Sequence, residues 1–174
     1  MKLEEVAPKE LKVEQNQYTV TILTTKVSEL VDGLELYLKT GLAFASSTMY
    51  DRNGCCCLDG SMFYSSIPEG TDREEANEIL WRKWYTRTSL DAWRENEMSL
   101  FGELLYRLND GCNTSDDRRV MAEFVLASMK GWNQDLTVEE IDTLVRTTHF
   151  QFRNNKQKMF EELNRQLQSP NNAP

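Results

Sequence analysis

The chain is short of the residue types that most often build catalytic and metal sites. It holds one histidine, His149, in 174 residues, so no His-Glu-x-x-His helix and no histidine pair for zinc exist. No C-x-x-C pair is present, and G-x-S-x-G, P-loop and G-x-G-x-x-G signatures are missing. The 4 prolines and 8 glycines are too few for long irregular stretches, which favours regular elements. No apolar run approaches the roughly 18 residues that a membrane-crossing helix needs. The first residues, Met1 to Pro8, lack the apolar core of a secretory leader. Basic residues are the minority, 20 against 28 acidic, for a net charge of -8. Binding to a phosphate backbone is therefore disfavoured, and nucleic acid is not an expected partner.

What remains is an ordinary globular composition, with 40% apolar and 28% charged residues, which argues against global disorder. A chain of this length reads as a single domain, 1–174, able to bury a core without metal or disulfide. With no leader and no span, the expected compartment is a reducing cytoplasm, where the 4 cysteines are read first as thiols. Charge is unevenly spread. Residues 149–174 carry Arg153, Lys156, Lys158 and Arg165 against Glu161 and Glu162, so a basic last helix follows an acidic body.

The pattern along the chain predicts an α+β fold that is mostly helical. Residues 1–16 are polar and without period, as in a flexible arm. Tyr18 to Thr25 is rich in β-branched residues and predicts a strand. Val27, Leu30, Val31, Leu34 and Leu38 keep helical spacing, with Gly41 placed to end the helix. Leu42 to Tyr50 suits a strand or a buried loop. Asp51-Arg52-Asn53-Gly54 is a turn signal, and the cysteine run through Tyr64 is expected to return as a strand. Residues 17–66 thus predict a small β-α-β-β unit.

After Ile67-Pro68-Glu69-Gly70 the pattern turns helical and predicts a bundle of four to five helices over 71–168. Thr71 and Glu74 form a capping box, and that helix is expected to run to about Thr88. A second helix is expected from Ser89, carrying Leu90, Trp93, Met98, Phe101, Leu104, Leu105 and Leu108. A third, capped by Ser115, has Val120, Met121, Phe124, Val125 and Met129 as its inward face. A fourth opens on the capping box of Thr137 and Glu140. Residues 146–152 fit either a strand or a helix junction. Phe152, Met159, Phe160, Leu163 and Leu167 share one face of a last helix, and 169–174 is a frayed tail.

Two constellations carry chemistry. Cys55-Cys56-Cys57 is the one local motif that stands out. Cys55 and Cys57, with Cys112 and His149, make a candidate set for a metal or a redox-sensitive thiol. Neighbouring residues cannot easily aim all three sulfurs at one ion, and the spacing matches no zinc ribbon or finger. The plainer reading is that the cysteines pack as small apolar residues. The second is Trp81-Arg82-Lys83-Trp84-Tyr85-Thr86-Arg87. Trp81, Trp84 and Tyr85 share one helical face. With Trp93 and Arg87 they are candidate protein-binding anchors, since Trp, Tyr and Arg dominate interface energetics; core packing is the competing reading. His149 with Cys112 as a nucleophile pair is an arrangement that chance produces often. The expectation is a non-enzymatic interaction factor: an inhibitor, adaptor or assembly factor meeting a basic protein surface, or self-associating, with no cofactor. The alternative is a thiol- or zinc-dependent regulator built on Cys55 to Cys57.

Overall fold

A computed structural model describes residues 22–85, 98–152 and 154–168, without the side chains of His149 and Phe150. The expected arm at 1–16, the strand residues before 22, Thr88 to Leu90 and the tail from 169 lie outside the described residues. The helix expected to reach about Thr88 ends at Lys83, and Met98 and Ser99 are not helical, so the helix expected from Ser89 does not run unbroken into Leu100–Asp110.

Helix α1, Val27–Thr40, buries Val27, Leu30, Val31, Leu34 and Tyr37. It ends at Gly41, whose φ of 75° is the left-handed turn that a residue without Cβ makes at little cost. Helix α2, Leu58–Ser61, is a single buried turn, and a 3-10 turn at Tyr64–Ser66 follows. Helix α3, Arg73–Lys83, is capped by Asp72, which accepts from the Glu75 amide, rather than by Thr71. Helix α4, Leu100–Asp110, starts at Ser99 and buries Phe101, Leu104, Leu105 and Leu108. Helix α5, Ser115–Lys130, is capped one residue earlier than the pattern suggests, by Thr114 accepting from the Asp117 amide. Helix α6, Val138–Phe152, opens on the expected box, with the Thr137 amide donating to Glu140 and the Glu140 amide to the Thr137 hydroxyl. Residues 146–152 continue it as helix. Helix α7, Lys156–Leu167, buries Met159, Phe160, Leu163 and Leu167.

The expected β-α-β-β unit is overturned. Among the described residues there is no strand and no sheet, only isolated bridges such as Phe44 with Cys56 and Tyr50 with Cys56. Ile22, Leu23 and Thr24 are helical, and Leu42 to Cys57 is irregular chain. The physical reason lies in burial. A half-buried strand alternates inside and outside, whereas Cys55 to Met62 is buried without a break. A segment enclosed on every side needs hydrogen-bond partners from whatever surrounds it. Here helix side chains supply many of those partners, beside the segment's own bonds from Ala45 N to Cys56 O and from Asp51 N to Cys55 O, both 2.8 Å. The Tyr37 hydroxyl of α1 donates to Ala43 O at 2.6 Å and accepts from Cys56 N at 2.8 Å. Asn109 of α4 accepts from Leu58 N at 3.1 Å and donates to Ala45 O at 2.8 Å. Asn77 of α3 donates to Tyr50 O at 2.7 Å and accepts from Tyr50 N at 3.0 Å. Arg118 of α5 donates to Phe44 O at 2.8 Å.

Helix α4 lies at the centre, packed against α2, α5, α6 and α7. α6 and α7 form a hairpin, and α1 lies along α5, tied by the Lys130–Glu35 ion pair. α1 passes close to the turn after α2 at Gly33, where a Cβ would collide with the Met62 carbonyl. Trp132 fills the space between α4 and α7, with ring centroids 5.9 Å from Phe101 and 6.0 Å from Phe160.

Two substitutions test this stitching. Asn109→Ala strands a buried amide and a buried carbonyl, and is expected to cost about 2–4 kcal/mol of unfolding free energy. Gly33→Ala is expected to cost about 1–3 kcal/mol by overpacking. Urea unfolding followed by tryptophan fluorescence measures both, and values under 0.5 kcal/mol (about the effect of an ordinary surface change) would show that neither contact matters.

Candidate functional site

The turn Asp51 to Gly54 forms as its residues suggest. Asp51 accepts from the amides of Asn53 and Cys55 at 2.8 and 2.9 Å, and Gly54 takes a φ of 78°. It leads the three cysteines inward. Cys55 is buried, and Cys56 and Cys57 are wholly so. The Cys57 sulfur lies 3.5 Å from the Met49 sulfur and accepts from the Asp59 and Gly60 amides at the start of α2. Burial pushes all three thiols up from their ordinary value, with Asp51 adding to the effect at Cys55 and Cys56 and Asp59 adding to it at Cys57. Cys112, half-buried, lies 3.4 Å from Leu108 O. It is also raised by burial, and the charges acting on it are Asp117 and Arg118. Nucleophilic attack and metal ligation need the thiolate, and burial at these sites favours the neutral thiol. Among the described residues no three His, Cys, Asp or Glu side chains gather as a metal site would require. The His149 side chain lies outside the described residues.

Beside Cys57 stands a group that sequence reading did not single out. Asp59 is fully buried and neither carboxyl oxygen has a hydrogen-bond partner. Desolvation raises it well above its ordinary value of 3.8, and the Asp110 charge pushes the same way. The sequence signal was present as a lone acid closing an apolar run. Asp142 offers the contrast. It too is buried, yet it accepts from Ser99 Oγ at 2.7 Å and Phe101 N at 2.9 Å, so that α6 caps α4 across the core.

The aromatic face is largely internal. Trp84 is fully buried, its indole N–H donates to Asp59 O at 3.2 Å, and its ring meets Phe63 edge-on at 5.5 Å. Gly102 lets α4 approach it, since a Cβ there would come within 2.6 Å of the ring. Trp81 and Tyr85 are half-buried, Trp81 leaning on Tyr106 at 5.4 Å. Trp93 and Arg87 lie outside the described residues.

Two other surfaces carry unused apolar area. On α5, Ala122, Val125 and Met129 face the core, while Val120 and Phe124, expected to do the same, are 65% and 41% exposed. Phe124 rests edge-on against Phe160 of α7 at 5.7 Å. Around α6, a cavity of 370 Å³ is lined by Asn133, Leu136, Glu140, Thr143, Leu144 and Leu167. A second, of 270 Å³, is lined by Leu23, Met98, Leu100, Asp142 and Arg146, together with Glu139 and Thr143. Thr143 borders both. No described helix is long and apolar enough to cross a membrane.

Comparison with protein families, with curated proteins and with solved structures finds no match to the chain.

Titration separates the buried groups. An acid whose folded pKa is raised keeps its proton in the fold and loses it in the unfolded chain. Stability conferred below pH 3.8 is therefore lost as pH rises toward the folded value, at a slope approaching about 1.4 kcal/mol per pH unit. Asp59→Asn is expected to match wild type near pH 4 and to exceed it increasingly by pH 7 in urea unfolding. A difference that stays flat with pH would show that the carboxyl is solvated or paired. A thiol reagent on the native protein is expected to modify Cys112 first, and Cys55, Cys56 and Cys57 only on unfolding. Rapid native labelling of Cys57, located by peptide mass, would contradict the burial.

Proposed function

We propose that this chain is a non-enzymatic protein–protein interaction factor, an inhibitor, adaptor or assembly factor, and that the outward side of α5 is its docking face. The observation that supports this reading is the pair Val120 and Phe124. They sit four residues apart on one helical face, and they are among the few large apolar side chains left exposed. A helix normally turns its apolar stripe to the core and its polar side to water. α5 already has a packed face, and the second stripe is covered only in part, by Phe160 against Phe124. Asp116 and Asp117 are exposed at its start, and no ion pair holds them among the described residues. Of the two neighbouring cations, Arg118 donates to Phe44 O at 2.8 Å and Arg119 pairs with Glu123 at 3.4 Å. An apolar stripe with an acidic border is complementary to a protein surface whose apolar centre carries a basic rim. A second copy of the chain would bring the same acids to the contact.

The reading that rests on Cys55 to Cys57 finds less support, because each thiol is held neutral by its surroundings. Burial of the cysteines accounts for their presence as packing.

A photo-crosslinking residue at position 120 in the source cells is expected to trap one protein reproducibly. That protein, purified, is expected to bind the chain directly, with affinity falling at least tenfold for Phe124→Asp and unchanged for Leu36→Asp, an exposed apolar site on α1. Equal affinities for both variants would remove α5 as the face. No crosslink, with a monomer by light scattering, would remove the interaction reading itself.

A further inference from the structure

The paired cavities around α6 form a second surface. We propose that it binds an amphipathic helix of a partner protein, with apolar side chains seated on either side of Thr143 and basic residues over the N-terminal turn of α6. The proposal rests on the protein-binding reading above and names the chemistry of the partner.

The geometry is that of a ridge between two hollows. Thr143, exposed on α6, borders a leucine-lined cavity made by Leu136, Leu144 and Leu167 and a more polar one in which Leu23, Met98 and Leu100 share the lining with Glu139, Asp142 and Arg146. Volumes of 370 and 270 Å³ are ample for leucine- or methionine-sized side chains. Helix-in-groove recognition uses anchors at i, i+3, i+4 and i+7. Two hollows flanking one ridge suit such anchors from an incoming helix, whereas a single small molecule would leave one hollow empty.

Charge selects the occupant. Glu139 and Glu140 are exposed at the start of α6 and line the two cavities, one each. They complement the positive end of the α6 dipole, and their outward faces meet solvent. Glu140 also accepts from the Thr137 amide and hydroxyl. Asp142 lies below, committed to Ser99 and Phe101. The opposing charge is Arg146, exposed one turn further along and lining the second cavity. The partner helix is thus basic over Glu139 and Glu140 and neutral or acidic over Arg146, which gives it a direction. Asp135 nearby is held by Lys26 at 3.4 Å. The groove as a whole keeps an acidic balance, as does the chain at -8.

The test uses the full chain and two fluorescein-labelled helical peptides of about 18 residues (five turns). Both carry the same leucine face, with lysines at one end of the polar face in the first peptide and glutamates there in the second. Fluorescence anisotropy is expected to show binding of the lysine peptide, weakened at least tenfold by 0.5 M salt (a Debye length of a few ångströms), and little binding of the glutamate peptide. Thr143→Arg, at an exposed position, is expected to abolish binding, and Glu139→Lys, which leaves Glu140 opposing the new cation, to remove the preference for the lysine peptide. Far-UV circular dichroism and the thermal midpoint of both variants are expected to match wild type. Equal binding of both peptides, or binding indifferent to Thr143→Arg, overturns the proposal. Binding lost with Phe124→Asp but kept with Thr143→Arg overturns the α6 site and leaves the α5 docking face standing. Failure of both peptides, with a partner still trapped at position 120, has the same meaning.

Discussion

The structure depends on an irregular segment threaded through the middle of a helical protein. Residues 42–57, with α2 after them, run between α1, α3, α4 and α5; Phe44, Ala45, Met49 and Cys55 to Cys57 are buried, and no described sheet pairs their backbone. Buried amides and carbonyls left unpaired cost more than the bonds themselves return. Four side chains, Tyr37, Asn77, Asn109 and Arg118, take the place of a neighbouring strand. Each comes from a different helix. The segment is therefore stable only when all four helices are docked, and the helices are held in register by the segment they bind. Such mutual dependence makes folding cooperative. It also explains why the cysteines are buried: small, weakly polar side chains suit a channel walled by Tyr37, Met49 and Leu58.

The two buried carboxylates show how such a core handles charge. Asp142 is used. It joins the N-terminus of α4 to α6 through Ser99 and Phe101, and its hydrogen bonds partly offset the burial that raises it. Asp59 makes no comparable bond, and its location beside Cys57 and beneath Trp84 places an uncompensated polar group where the short helix, α3 and α4 meet. A leucine or asparagine would serve packing as well or better. Asp59 is thus a tuning point for stability at the centre of the molecule.

Much of the helical part was legible because its signals are local. The spacing of Val27, Leu30, Val31 and Leu34, the stop at Gly41 and the reciprocal box of Thr137 and Glu140 depend on neighbours three or four residues away. Caps shifted by one residue, from Thr71 to Asp72 and from Ser115 to Thr114, because adjacent polar residues compete for the same amides. The strands were misread because β-branched and aromatic residues mark burial as readily as pleating. Val120 and Phe124 were misread as core because period tells which residues share a face, and is silent on whether that face has a neighbour. The proposed surface groove was less legible still. The groove beside Thr143 joins residues from 23 to 167, and no sequence window contains them.

Sequence alone determined that this chain would be an acidic, compactly folded protein built from amphipathic helices, since composition and short-range periodicity act through each residue's own free energy of burial. Tertiary packing alone decided which thiols lie buried, which carboxylate goes unpaired and which apolar stripe faces water. Those outcomes depend on what lies across the core from a residue, and distance through space is not encoded in distance along the chain.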